Sequence, residues 1–387
     1  MQQSKRSRGG ERRWMKFILL RAFVKRNLGD DLFIKTICER YPNQKFVLVG
    51  DREDLCTLND ITNLRCVAGD AIWFKIWNRC YVLGKKLTKK YIENNRNIFV
   101  VSVLSRFAKA NVYVTGSYFR EPPRWHGLID QRWYQANSYI LGCNFGPYTS
   151  TQFFDSYYEQ FQKVAQISFR DRYSYELFKE LPNAMLSTDL VFGMNRREEI
   201  KNLGYYIVTV VDVSKDDVKD SNRIMQDYIY KMVQIVTYLF KQNKEVRFFS
   251  FCEAQGDLDV ISQITSRLPQ DVSYTIFNYR QLGMQASLNM IAESEGVIAT
   301  RYHAMILGIL YEKKVFPIIY NEKMEHLLED IKFEGEVVTI EQIQSLELTN
   351  LIERMQSYPK EGLVRLREQA QLHYAKLDQY LRSKHNP

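Results

Sequence analysis

Along almost the whole chain, short apolar or β-branched runs alternate with longer stretches of helical spacing, the pattern of βαβ units and a parallel sheet. In the first half the strand candidates are Phe17 to Phe23, Phe46 to Val49, Asn111 to Thr115, Tyr139 to Cys143 and Gln166 to Phe169. In the second half they are Tyr205 to Val213, Val246 to Phe251, Tyr274 to Phe277, Gly296 to Thr300 and Val315 to Tyr320, each followed by a helix-length segment. The charged stretch Asn195 to Asn202 between the halves reads as a linker. The expected architecture is therefore α/β, with two Rossmann-like doubly wound domains, 15–195 and 203–387, facing each other across a cleft. Lys360 to Lys384 has helical spacing at Leu363, Leu366, Ala370, Leu377 and Leu381, which predicts a terminal helix of the second domain.

Length and composition agree with two domains: 387 residues at 45% hydrophobic content can bury a sizeable core. The formal charge of +9 favours negatively charged partners: nucleic acid, anionic lipid, phosphorylated metabolites or acidic glycans. Six scattered cysteines form no C-x-x-C pair and have no histidine at finger spacing, so neither zinc nor a disulfide framework is indicated, and reduced thiols in a cytoplasmic protein are expected. Residues 1–14 form a basic tail, and Met15 would itself make a sensible start. The apolar run Phe17 to Val24 is too short to span a bilayer and is interrupted by Arg21.

In open parallel sheets, ligands bind beyond the carboxyl ends of the strands, where helix N-termini present free N–H groups and a positive dipole end. The turns from strand to helix therefore hold the candidate chemistry. At the strongest, Gly296 to Thr300 leads into Arg301-Tyr302-His303. Arg301 offers a planar cationic fork, and His303 is the side chain most easily titrated near neutrality. The plainer reading is a structural ion pair for Arg301 and a helix cap for His303. A similar turn carries Arg170-Asp171-Arg172, where a local ion pair between Arg170 and Asp171 is the simpler account, with Asp171 or Ser174 starting the next helix. Asn27-Leu28-Gly29-Asp30-Asp31 follows the first strand, with aspartates suited to capping a helix. Thr115-Gly116-Ser117 lets backbone approach a ligand, and Lys323 at a strand end is a third cation.

Taken in order, Asn27-Leu28-Gly29-Asp30-Asp31, Asn144-Phe145-Gly146-Pro147, Ser168-Phe169-Arg170-Asp171 with Ser174, Asp189 with Phe192, Arg301-Tyr302-His303-Ala304 and Lys323 resemble the polysaccharide pyruvyl transferases. The chain differs in having Thr115-Gly116-Ser117 at the family's glycine-rich turn and Asp189-Leu190 at its usual Asp-Pro. The resemblance implies a scaffold similar to the two-domain glycosyltransferase B fold. It implies transfer of pyruvate from phosphoenolpyruvate to two sugar hydroxyls as a cyclic ketal, with no metal or other cofactor. Arg170, Arg301 and Lys323 would then bind the donor and His303 would move protons, with Asn27, Gly29, Asp30, Gly116 and Ser117 lining the cleft. A glycan or lipid-linked oligosaccharide would be the acceptor.

The segment 71–95 spaces Trp73, Trp77 and Tyr81 four residues apart among Lys75, Arg79, Lys85, Lys86, Lys89 and Lys90. This composition suits peripheral docking at an anionic membrane, on the inner face of the cytoplasmic membrane, while the same spacing also suits packing on a sheet. Arg124-Trp125-His126-Gly127 with Trp133 and Tyr134 could stack on sugar rings or form a packed loop. Two rival functions are a sugar-nucleotide glycosyltransferase of the same fold and a non-enzymatic basic membrane- or nucleic-acid-binding protein. No recognised nucleic-acid motif is present, so no nucleic-acid partner is expected.

Overall fold

A computed structural model of the chain describes residues 17–87, 97–122, 125, 129, 134–196, 200–214 and 220–383. In the first half the order is β1 (Ile18–Arg21), α1 (Leu28–Arg40), β2 (Phe46–Gly50), β3 (Leu64–Ala68), α2 (Ile72–Leu87), α3 (Ile98–Phe107), β4 (Ala110–Val114), β5 (Ser138–Cys143), α4 (Thr151–Phe161), β6 (Gln166–Phe169), α5 (Arg172–Phe178) and β7 (Ala184–Leu186). The second half begins β8 (Tyr206–Thr209), α6 (Ser221–Lys241), β9 (Val246–Ser250), α7 (Asp257–Thr265), β10 (Thr275–Asn278), α8 (Tyr279–Leu282) and α9 (Met284–Ala292). It continues β11 (Gly296–Ala299), α10 (Tyr302–Leu310), β12 (Lys314–Ile319), α11 (Glu322–Asp330), β13 (Val338–Thr339), α12 (Leu351–Arg354), α13 (Lys360–Gln371) and α14 (Ala375–Ser383).

Two parallel sheets result, in the orders β3-β2-β1-β4-β5-β6-β7 and β10-β9-β8-β11-β12-β13. In each, a central strand pairs on both sides, with Leu20 opposite Leu48 and Val112 and Val297 opposite Ile207 and Val315. The central strands are buried on both faces and read as unbroken apolar runs, so they stand out in the sequence. Strands β3, β7 and β13 are less buried edge strands without such a run, and the hydrophobic pattern does not reveal them.

One buried apolar cluster runs through both halves, from Leu28 and Phe33 of α1 to Ala304 and Leu307 of α10. The interface between the domains is thus continuous core. Polar ties supplement it: the Leu28 amide donates to the Phe251 carbonyl at 3.2 Å, and the Tyr279 hydroxyl donates to Asp31 Oδ2 at 2.7 Å.

The C-terminal segment corrects the domain division read from the sequence. Residues 360–383 cross back to the first domain: the Ser187 hydroxyl donates to the Gln369 carbonyl at 2.7 Å, and Arg40 pairs with Asp378 at 2.8 Å. His373, fully buried, bridges Ser168 Oγ at 2.7 Å and the Thr188 carbonyl at 2.6 Å. Burial holds its pKa down to about 4, so the ring is a neutral pin between the last helices and the first sheet. The apolar stripe was legible; its docking surface was not, because spacing says which face is buried and not against what.

The linker's Arg196 is tied to the Leu310 carbonyl and to Glu312, both at 2.6 Å, while 197–199 lie outside the described residues. The tail 1–14 lies outside them too, as do Arg124, His126, Gly127 and Trp133. Trp125 packs edge-on against Phe153 and Tyr134 is buried beside Phe161, which places these two rings in a packed aromatic layer. No helix among the described residues is long and apolar enough to cross a membrane.

Candidate active site

Strand β11, buried throughout, leads through Thr300 to Arg301, which occupies the N-cap position of α10 with extended backbone and no capping side chain. His303 therefore lies within the first turn and caps nothing. The Arg301 guanidinium is 7% exposed and anchored on three sides: Nε donates to the Val210 carbonyl at 3.1 Å, Nη1 to Gln255 and Nη2 to the buried Asp257 carboxylate. The ion pair expected for Arg301 therefore exists, and the arginine still faces the cleft.

Across the cleft, α1 begins at Leu28 with Asn27 as its cap, whose side chain accepts from the Gly29 amide at 3.0 Å. Asp30 and Asp31, expected as caps, occupy the first turn instead. The N-termini of α1 and α10 meet at Gly29. A Cβ built there would lie 1.9 Å from His303 Nδ1, so only glycine lets the imidazole sit in place. Phe33 closes the other side of the ring, edge-on at 5.1 Å.

Arg170 leaves the end of β6. Its partner is Asp189, at 3.0 Å, and not Asp171, which caps α5 by accepting from the Ser174 amide at 2.7 Å. Local proximity in sequence loses here because the helix N-terminus claims Asp171. Arg170 Nη2 also donates to Asn144 Oδ1 at 2.8 Å, and its guanidinium stacks on the Tyr302 ring at 4.5 Å. At Gly116 a Cβ would fall 2.9 Å from Arg170 Nη1, so the glycine lets the main chain approach the cation. Asp189, wholly buried, organises the floor: besides Arg170 it accepts from the Val191 amide at 2.9 Å, and it lies 3.9 Å from His303 Nε2. Lys323, in the first turn of α11, has no carboxylate within ion-pair distance among the described residues; its ammonium rests 5.4 Å from the Tyr302 ring centre.

These groups line one cavity of about 230 Å³. Asn27, Asp30, Gly116, Ser117, Arg170, Arg301, His303 and Lys323 all border it, with Gly29 behind His303. Tyr302, Tyr320, Phe251 and Gln255 border it too. Gln255 and Asp257, which hold Arg301, went unnoticed in the sequence; they follow the carboxyl end of β9, where the logic of strand-to-helix turns would have placed them. A larger cavity of about 580 Å³, bordered by Arg21, Asp51, Asp54, Val101 and Tyr113, adjoins it and shares Phe23, Thr115 and Tyr118.

Burial and fixed charges set the protonation states. The His303 pKa falls to about 3, first through burial and then through Arg170 and Lys323, against the opposing pull of Asp189. The site thus holds a neutral imidazole whose Nε2 is buried without a hydrogen-bond partner among the described residues. Asp30 is pushed up to about 6 by withdrawal from water, although Lys323 and Arg170 oppose the rise. For the Tyr320 phenol, burial acts upward but Lys323 and Arg301 outweigh it and draw its pKa below the ordinary value. The cavity can therefore hold a small anion among three cations, and it offers one group, Asp30, that exchanges its proton near neutrality, beside a neutral imidazole able to accept one. Among the described residues there is no cluster of three or more side chains suited to a metal ion.

The family model for polysaccharide pyruvyl transferases matches residues 27–322, from the cap of α1 to the first residue of α11. The chain belongs to the polysaccharide pyruvyl transferase family. Its matched span includes every residue named above for the smaller cavity except Phe23 and Lys323, both just outside it. No curated protein matches the chain. Among solved structures, HepE of Anabaena in complex with UDP and glucose superposes with a TM-score of 0.53 at 9% identity, over 95% of this chain and 100% of that one. The same protein with UDP-glucose gives 0.51 at 10% identity, over 95% and 99%. The fold is thus that of the two-domain, glycosyltransferase B-like enzymes, and this transferase family member builds its candidate site between the two sheets.

Proposed function

We propose that this enzyme transfers pyruvate from phosphoenolpyruvate to two hydroxyls of a surface-polysaccharide sugar or its lipid-linked precursor, forming a cyclic ketal and releasing phosphate at the cytoplasmic side. The observation that carries this reading is the convergence of Arg170, Arg301 and Lys323 with a neutral His303 in one small cavity between the domains. Phosphoenolpyruvate carries a carboxylate and a phosphate. The pair of fixed arginines and Lys323 suit it, and its compact size suits about 230 Å³. The adjoining cavity, with its tyrosines and paired carboxylates, is where the sugar would lie.

In this reading a proton reaches the methylene carbon of the donor as the first acceptor hydroxyl attacks the adjacent carbon. The second hydroxyl then displaces phosphate. One hydroxyl proton ends in the new methyl group and the other on phosphate, so the ketal and hydrogen phosphate account for every atom. Asp30, near half-protonated at about pH 6, is the proton donor; binding of the anionic donor raises its pKa further. His303 Nε2 is the base for a hydroxyl, and the same donor charge restores its proton affinity. The cations stabilise the departing phosphate.

The test is phosphate release from phosphoenolpyruvate on adding candidate oligosaccharides, with the ketal identified by NMR. His303→Ala should retain donor binding and lose about 10² to 10⁴ in turnover. Full activity in that variant would remove His303 from the reaction, and turnover with UDP-sugars but none with phosphoenolpyruvate would replace the donor by a sugar nucleotide.

A further inference from the structure

Helix α2 presents its apolar side outward. Ile72, Trp73, Ile76, Trp77 and Leu83 are 69%, 71%, 47%, 56% and 61% exposed. At 100° per residue these positions fall on one face of the helix, with exposed Lys75 and Arg79 along its flank. A helix that merely packed on its sheet would turn these side chains inward. Instead α2 meets the domain along one edge of this face: Asn78 Oδ1 accepts from the Phe99 amide at 2.9 Å, and Tyr81 and the half-exposed Trp77 lean on the Phe99 ring of α3. The sequence from Ile72 to Lys90 holds six lysines and arginines and no acidic residue.

We infer that the exposed face of α2 docks the enzyme on a bilayer containing anionic lipid. The two halves of the observation demand the same partner. Two solvent-exposed tryptophans beside aliphatic side chains gain by entering the interfacial region, and a one-signed basic flank gains by meeting a negative surface. An apolar partner alone would leave the cations unused, and nucleic acid would leave the aliphatic face in water. The surface also has a position suited to its use. Helix α3, against which α2 packs, contributes Asn97 at its cap and Val101 to the border of the larger cavity, so a docked α2 brings that cavity's rim close to the lipid surface. A lipid-linked acceptor would then be held near the cavity it must enter. That last step rests on the pyruvyl-transfer reading; the docking itself does not, because vesicle binding is measured without donor or acceptor.

The experiment is flotation of the full-length protein with phosphatidylcholine vesicles and with vesicles containing about 30% phosphatidylglycerol. The protein should float with the anionic vesicles only, and should be released by raised salt. Trp73→Glu with Ile76→Glu should remain at the bottom of the gradient while keeping its thermal midpoint and its turnover of a soluble acceptor. Lys75→Gln with Arg79→Gln should bind roughly 25-fold more weakly, since each cation near such a surface contributes about fivefold. Flotation that is absent, or equal for both vesicle types, overturns the inference. So does loss of a dimer in the variant with Trp73→Glu and Ile76→Glu, seen by light scattering without vesicles, because the face would then be an interface between copies.

Discussion

Replacing Gly29 by alanine adds one methyl group at the point where the N-termini of α1 and α10 touch. The new Cβ would lie 1.9, 2.6 and 2.8 Å from His303 Nδ1, Cγ and Cε1. An undistorted contact needs roughly 3.5 Å, so the imidazole must retreat by about 1.5 Å. It has little room: Phe33 stands on one side and the Tyr302 ring, 5.0 Å away, on another. Misplacing a reacting group by about 1 Å is enough to cost 10²-fold in rate, so turnover should fall by at least that factor. Stability should change far less. Alanine in a helix gains about 1 kcal/mol over glycine, and overpacking costs about 1 to 3 kcal/mol, leaving a net loss between about 0 and 2 kcal/mol. For domains of this size that lowers the Tm by no more than about 8 °C. The assay pairs phosphate release with calorimetric titration of phosphoenolpyruvate: kcat should collapse while donor affinity stays within about threefold, since the three cations are untouched. A variant with kcat within threefold of wild type would refute the claim that the position of His303 matters to the reaction.

Removing the Asp189 carboxylate with Asp189→Ala leaves the Arg170 charge buried without its partner and should destabilise the protein by about 3 to 5 kcal/mol, read by chemical denaturation. Asp189→Asn, which keeps the shape, should cost less, and equal losses would show that packing rather than charge is at stake. Asp30 provides a pH test. Its folded pKa of about 6 lies above the ordinary 3.8, so its contribution to stability is complete below about pH 3.8 and is lost as pH rises through 6. Asp30→Asn should therefore match wild type in stability at pH 4 and exceed it at pH 8, and an unchanged difference across that range would contradict the raised pKa of the carboxyl. In turnover, the same variant should lack the decline that the wild type shows as pH rises through the donor-bound pKa of Asp30.

His303 carries the opposite sign. Its folded pKa of about 3 lies below the ordinary 6.5, so the stability it confers is present above pH 6.5 and is lost as pH falls toward 3. His303→Gln should flatten that acid limb in a series of thermal unfolding curves. If the limb is unchanged, the neutral histidine is not its source.

The sequence by itself determined the fold class and most of its parts. Ten strands were legible, nine of them because buried parallel strands are apolar runs, and the order of strands and helices leaves few ways to arrange them. It also named most of the residues that border the cavity between the sheets, since every chemically distinctive turn lies at the carboxyl end of a strand, the end from which an open α/β sheet binds its ligands. The tertiary structure decided the pairings. Nothing local says that Arg170 chooses Asp189, nineteen positions away, over adjacent Asp171, or that Asp257 holds Arg301. Those choices depend on which carboxylates fold into the same desolvated space. The structure also decided where the last helices dock, because a stripe of apolar residues carries no address. It showed that the aromatic side of α2 faces outward, where helical spacing alone allowed either direction. Above all, it decided that His303 is neutral at rest: burial sets that pKa, and burial is a property of the assembled interface between the two domains and of no residue in it.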